Sequence, residues 1–411
     1  LGALSAVGPL SLDMYIPSFP QLASDLGVDA SQAQISMTAC MIGLAVGQLI
    51  AGIFSDSLGR RKPLSFGIGM FLVFSIACVF APNIWLLILA RFLQGVGGGS
   101  GVVIARAVVR DRFAGDALVK MLATVMMLLG LAPILAPILG GLLTEVTNWR
   151  GIFAVLSGLA LALLIGSTFL PESLPPERRR NRGFGPVRAD FAALLRDRMF
   201  LYGAGAVAFV SGGVFIYIAG SSFIFQRIYH FTPLQYSIAF AINGTGFVLF
   251  TQLNRILPPW LTSSRRQTIA IGGVTSAALL IGIAAIAPSH PLWLVLPGCF
   301  LTTASHGFGS PNGIAIALQN HGARAGSASA LQGLTQFTIG AIAVPFAGES
   351  LTSVSVAIGV CAVCAITLRV TVGRGIKLNH PSPLDRGEEI LLDGPAESAI
   401  AAEIPISQPR R

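Results

Sequence analysis

Residues 84–106 read IWLLILARFLQGVGGGSGVVIAR. Arg91 is the single charge between Ile84 and Ala105. At ~1.5 Å of rise per residue, a helix of this length crosses a hydrocarbon core ~30 Å thick. The apolar residues follow no strong period, as fits a helix that is apolar all round. The glycine-rich part, VGGGSG at 96–101, has no following Lys-Ser/Thr and no preceding strand. It is therefore not a phosphate loop. Small residues in such a run let a second helix approach closely.

The same kind of run recurs along the chain. Twelve spans are read, roughly 1–22, 32–54, 63–81, 84–106, 119–143, 150–170, 200–226, 233–254, 267–287, 292–318, 326–348 and 351–371. Of the 411 residues, 53% are hydrophobic and 11% charged. A soluble domain carries ~25% charged residues, and with a mean hydropathy of +0.74 an aqueous surface is excluded. The predicted fold is an all-α membrane protein with twelve transmembrane helices in two six-helix bundles. The bundles are read at 1–170 and 200–372, with a Pro-rich basic linker at 171–199 and a disordered polar tail at 373–411. Leu1 already stands in an apolar run, with no basic lead and no small-residue cleavage site, so no signal peptide is read. The chain as given is expected to begin inside the first membrane helix.

The net charge of +9 is distributed by side. Of 27 Lys and Arg, 24 fall in alternate loops and the tail; Arg150 and Arg227 lie opposite, and Arg91 lies within a span. Positive residues stay cytoplasmic, so both termini are expected inside. The basic balance is then a topology signal with lipid headgroups as partners, not a nucleic-acid footprint. The five cysteines all fall in apolar runs, including the C-x-x-C pair Cys361 and Cys364. They are read as small packing residues.

Ionisable groups in hydrocarbon are costly, so each is a functional candidate. Among 18 acids only Asp13 lies mid-span, in PLSLDMYIPSFP. A buried carboxyl near a cation is suited to bind a proton from one side and release it to the other. Pro9 and Pro17 flank it at i−4 and i+4, predicting a kinked helix. Tyr15 and Phe19 either contact a ligand or face lipid. Arg91, with Gln94 at i+3, is a candidate for proton coupling, or else a structural charge needing a carboxylate, carbonyls or water. His306 is the lone mid-span histidine, read as a ligand contact or a packing residue. Asn243, Thr245 and Asn312 contact ligand or bridge helices. Gly130, Pro133, Pro137, Gly140 and Gly141, in GLAPILAPILGG, mark a hinge or packing seam. No Ser/His/Asp arrangement, paired catalytic carboxylates or metal cluster is read, so neither an enzyme nor a metal site is expected.

These stretches together resemble the major facilitator superfamily, in particular the drug:proton antiporters of the bicyclomycin and chloramphenicol resistance branch. GIFSDSLGRRKP is similar to the inner-loop signature through Gly52, Asp56, Gly59, Arg60 and Arg61, with Ser57 where a basic residue is usual. RFLQGVGGG resembles the arginine motif of helix four through Arg91, Gln94, Gly95 and Gly97. LAPILAPILGG resembles the antiporter motif of helix five through Pro137, Gly140 and Gly141, with Ala136 in place of Gly. LDMYIPSFP resembles the first-helix signature of the branch through Asp13, Tyr15 and Pro17, and GSSFIFQRIYHFTPLQYS is also similar, with Ser222 in place of a common Pro.

The resemblance implies alternating access and export of drug-like or metabolic solutes against protons, with Asp56 in an inner gate. A carboxylate there has Arg60 or the positive end of a neighbouring helix as partner. The leading expectation is a proton-coupled antiporter in a bacterial cytoplasmic membrane, monomeric and free of cofactors. The alternative is a narrow-specificity metabolite exporter or importer of the same fold. Asp13, Tyr15, Gln94, Asn243, His306 and Asn312 are the candidate substrate contacts, and Asp13 and Arg91 the proton-coupling pair.

Overall fold

The computed structural model describes residues 2–113, 115–179, 184–258, 260–321 and 324–373. The tail beyond 373 lies outside the described residues. Within them the chain is helical, with no strand. The helices are α1 (Gly2–Asp13), α2 (Phe19–Leu26), α3 (Ala30–Leu58), α4 (Arg61–Val79), α5 (Ile84–Arg112), α6 (Gly115–Val146), α7 (Trp149–Thr168), α8 (Phe184–Leu194), α9 (Arg198–Phe223), α10 (Pro233–Ile256), α11 (Ser263–Ile286), α12 (Leu292–Leu318), α13 (Ala325–Ala343) and α14 (Leu351–Thr371). Seven helical segments among the described residues meet the length and apolarity needed to cross a membrane.

Side-chain oxygens start many of these helices. Asp29 and Thr232 form capping boxes with Gln32 and Gln235, and Asn83, Asn148 and Asp197 accept from the first free backbone N–H groups of α5, α7 and α9. Orphan donors at helix ends are thereby satisfied at the surface rather than in oil. Large apolar side chains face outward within the helices and at their ends: Phe66 is 75% exposed, Phe169 81% and Ile286 82%. Trp85 and Trp293 stand outward at the starts of α5 and α12, at the same end of the molecule. A soluble protein does not display such a belt, whereas lipid contact and interfacial tryptophans account for it.

Two groups of helices pack internally. α1, α3, α4, α5, α6 and α7 form one, and α9 to α14 the other. α6 meets α10 and α3 meets α13 across the junction. Within the first group the glycines of α3 and α5 set the spacing. A Cβ on Gly47 would lie 2.1 Å from the Val96 carbonyl oxygen, and one on Gly95 2.3 Å from that of Cys40. These backbones touch, and no other residue fits. In the second group Cys361 packs opposite Gly212, where an added Cβ would meet its sulfur at 3.1 Å. Cys361 of the C-x-x-C pair is thus a helix-packing residue.

The first predicted span is not one helix. α1 stops at Asp13, a 3₁₀ turn covers Ile16–Ser18, and α2 runs on to Leu26. Pro9 stays inside α1, so the break falls at Pro17, whose missing N–H and ring exclude a continuous helix. α9 ends in a matching way, in a π turn at Ile224–Ile228. The two irregular segments meet: Gln226 Nε2 donates to the Pro17 carbonyl at 2.7 Å, and the Phe19 and Phe223 rings lie 6.1 Å apart. Gln34 on α3 donates to the carbonyls of Ala219 (3.3 Å) and Gly348 (2.7 Å). Among the described residues, all of these side-chain hydrogen bonds between the two groups lie at the end opposite the basic loops.

The linker also differs from its reading as simple chain. α8 docks on the second group, with Leu194 buried beside Phe200, Ala317 and Leu331. Asp190 accepts from Ser327 Oγ at 2.8 Å and pairs with Arg324 at 3.1 Å. The signal was Phe191 and Leu194 at helical spacing, masked by the surrounding charges. Substituting Gly47 by Val forces α3 off α5 and is expected to destabilise the fold by about 1–3 kcal/mol. The check is a lower melting temperature and lower monodisperse yield in detergent, compared with Gly69→Val, where an added Cβ meets nothing.

Candidate functional site

A cavity of about 200 Å³ lies between the two groups of helices. Asp13, Pro9 and Leu12 of α1 form one wall, with Pro133 and Ile134 of α6 beside them. The facing wall carries Ser211 and Phe215 of α9, Phe240 and Phe247 of α10, and Thr303 and His306 of α12. Asp13 reaches it because α1 ends there, and it is 4% exposed. Among the described residues no donor bonds its carboxyl.

Arg91 is fully buried one layer behind. The sequence reading sought a carboxylate, carbonyls or water for it; among the described residues neither a carboxylate nor a backbone carbonyl bonds it, and its Nε and Nη2 have no partner there. Its Nη1 donates to Gln94 Oε1, while the guanidinium stacks 4.3 Å from the Tyr15 ring centroid and 5.4 Å from that of Phe153. A desolvated cation over an aromatic face gains about 2 kcal/mol. Gln94 then passes the chain on, donating to Ser75 Oγ at 2.7 Å, and Tyr15 bonds Ser36 at 3.1 Å. Arg91 is close enough for its charge to bear on the Asp13 carboxyl.

The six residues read as substrate contacts therefore divide. Asp13 and His306 line the cavity. Tyr15 and Gln94 serve Arg91 and stand outside the wall, and Phe19 is fully buried beside Tyr15. Asn243 is 2% exposed and donates to the Tyr217 hydroxyl at 2.9 Å. Asn312 donates to Asn254 Oδ1 and to the Phe308 carbonyl, both at 2.7 Å. Thr245 donates to the Ile242 carbonyl of its own helix at 2.6 Å. These last three bond within the second group of helices and leave the cavity to aromatic rings. Sequence reading missed those rings: phenylalanine is common in membrane helices, and only packing selects the ones that face inward.

Pro133 lines the cavity and Pro137 is buried on α6. Gly140 and Gly141 are contact points: a Cβ would lie 1.8 Å from the Met14 carbonyl at the first, and 2.3 Å from Ser237 Oγ of the other group at the second. Gly130 has neighbours whose side chains lie outside the described set. Gly52 differs from these, since an added Cβ there meets only Val103 at 3.7 Å, an ordinary contact.

At the basic end the inner-loop residues form a charge cluster. Arg60 bonds Asp56 at 2.6 Å, Ser55 at 2.9 Å and Asp111 of α5 at 2.8 Å. Asp56 thus takes Arg60 as partner, and the positive end of α4 goes to Glu172 instead. Glu172 accepts from the backbone N–H of Arg60 (2.8 Å) and Arg61 (3.2 Å), and also from those of Ser173 and Leu174. Burial alone would raise its pKa, but these four donors outweigh it and hold the carboxyl below its ordinary 4.5. Gly59 makes the approach possible. Its φ is +91°, and a Cβ would lie 2.6 Å from Glu172 Oε2. Arg61 Nη2 donates to the Thr168 carbonyl at 2.7 Å, joining α4 to the end of α7. Asp111 and Glu172 escaped the sequence reading because both lie at span ends, where acids are ordinary.

A broken first helix, a buried arginine behind a lone acid and a cavity shared by two helical groups define a membrane transporter. The chain belongs to the Major Facilitator Superfamily, whose profile matches residues 1–345. Over 361 residues it is 39% identical to the uncharacterized MFS-type transporter YdgK of Bacillus subtilis (strain 168), covering 86% of this chain and 88% of that one. It is 29% identical to the bicyclomycin resistance protein homolog of Haemophilus influenzae, covering 83% and 86%. This bears out the resemblance to the drug-resistance branch. The fold is also that of the nucleoside transporter NupG, with a TM-score of 0.71 at 13% identity over 90% of this chain and 98% of that one.

Because the folded state binds the Glu172 proton less tightly than the unfolded chain, its contribution to stability is present above pH 4.5 and fades as the pH falls through the lower folded value. Glu172→Gln is therefore expected to melt at a lower temperature than the wild type at neutral pH. The gap should close in acid, as read by thermal denaturation in detergent from pH 7 downward.

Proposed function

We propose that the chain is a proton-coupled antiporter that exports small drug-like organic molecules by alternating access. The observation that carries this is the Asp13 carboxyl, set at the break of α1 on the wall of a cavity shared by both helical groups. A group there meets both substrate and proton, and a change in its charge alters what the cavity prefers to hold. Arg91 lies behind it, held by Gln94 and two rings, and acts as a fixed positive field on that carboxyl. The proton gradient supplies the energy, so the cycle needs no cofactor.

The basic loops face the cytoplasm in this reading, in a bacterial inner membrane and in a monomer. The hydrogen bonds from Gln34 and Gln226 then close the outer side. Opening toward the outside would exchange them for closure at the basic end, where Arg60, Asp56 and Asp111 would form part of the inner gate. The drug class rests on the likeness to the bicyclomycin resistance homolog.

Asp13→Asn is expected to fold and to lose substrate-driven proton release from everted vesicles under an imposed pH gradient. Unimpaired release in this variant sinks the coupling role. Arg91→Ala is expected to lower transport more than folded yield; wild-type transport in that variant removes the arginine from the mechanism.

A further inference from the structure

The hydrogen-bonding character of the cavity can be worked out proton by proton. Ser211 Oγ lies 2.7 Å from the Val207 carbonyl and 3.2 Å from His306 Nδ1. A hydroxyl has one proton. The shorter contact, to the carbonyl one turn back on α9, takes it. Ser211 must then accept from Nδ1–H, which fixes the neutral imidazole as the Nδ1–H tautomer. Nε2 is left as a bare acceptor, bonded to none of the described residues. The ring is held in place by stacking on Phe247, with centroids 5.4 Å apart.

The same count applies to Thr303. Its Oγ1 lies 2.6 Å from the Asn243 carbonyl and 2.9 Å from that of Phe300, so its proton is also committed to backbone. The fourth polar side chain on the wall is Asp13, which as a carboxylate only accepts. The other lining side chains are apolar, aromatic rings among them.

We infer that the cavity selects compact, aromatic or apolar molecules that bring hydrogen-bond donors, above all a protonated primary amine. Acid and imidazole offer acceptors from opposite walls, one from each helical group. While Asp13 is ionised, an N–H-bearing ligand bridges the groups and a carbonyl-rich one of the same shape finds no donor. A buried polar atom left unmatched is penalised more heavily than a matched one is rewarded. The inference names a substrate class for the transporter proposed above and rests on that reading for its physiological meaning. With Asp13 ionised, ligand choice is read at equilibrium and needs no proton gradient.

The test uses purified full-length protein in lipid nanodiscs with no pH gradient. Three naphthyl probes of one body are compared: 2-(1-naphthyl)ethylamine, its N,N,N-trimethylammonium analogue, and 1-acetylnaphthalene. Binding is read by titration calorimetry. The primary ammonium is expected to bind roughly tenfold or more tightly than either of the others, since the trimethyl probe keeps the charge without a donor and the ketone offers only an acceptor. Equal affinities, or no binding of the primary ammonium, overturn the inference. His306→Phe keeps a ring against Phe247 and removes Nε2, so it should weaken the primary ammonium and leave the trimethyl probe unchanged. Unchanged binding of the ammonium overturns the role of Nε2. Should that variant not fold, the wild-type probe series decides alone. Loss of proton coupling in vesicles with the ammonium preference intact would sink the antiport reading and leave this one standing.

Discussion

Inside a bilayer the chain has no water to satisfy a broken backbone, and the break between Asp13 and Phe19 therefore dictates much of what surrounds it. Pro17 ends the helical ladder and leaves carbonyls without partners. Gln226 reaches across from the π turn of α9 to take the Pro17 oxygen. Gln34 does the same for Ala219 and Gly348. Each bond ties one group of helices to the other. The break in α1 thus lies where one of the bonds between the two groups is made.

The break has a second consequence. By ending α1 at Asp13 it leaves an acid on the cavity wall, with its strongest possible partner held away. Arg91 is occupied by Gln94 and by the faces of Tyr15 and Phe153. A direct ion pair between the two would fix the acid as a carboxylate and remove it from exchange. Aromatic faces satisfy a cation without neutralising it, so the positive field persists while the carboxyl stays free. The two ends of the protein follow different rules. The end opposite the basic loops joins the two groups through backbone carbonyls and carries the ion pairs Arg150–Asp25 and Arg227–Glu349 within single groups, whereas the basic end holds a wider network of formal charges around Arg60 and Glu172.

Much of this was legible in the residues. Seven of the runs, those that became α3, α4, α5, α7, α9, α11 and α14, are apolar over bilayer length, and that alone fixes helix and membrane. Asp13 and Arg91 stood out because charge in oil is rare, and the Asp56 to Arg61 loop through its family resemblance. The aromatic wall, the partners of Arg91 and the docking of α8 were not legible. An apolar helix carries no mark of which face meets lipid and which meets a cavity, since both are served by the same side chains. Four residues read as substrate contacts, Tyr15, Gln94, Asn243 and Asn312, lie off the cavity wall, which no local pattern distinguishes. Each is a polar group in oil, and each found its partner on a neighbouring helix.

The sequence by itself determined the helical class, the membrane setting and the short set of ionisable groups, because transfer free energy acts residue by residue along the chain. Only the tertiary structure decided which of those groups share a cavity. It alone turned the His306 ring so that Ser211 claims one nitrogen and the other is left over. It alone set Glu172, rather than Asp56, on the helix end at Gly59. Such choices depend on the angles and distances between helices, which close glycine contacts and single hydrogen bonds fix and which no local pattern encodes.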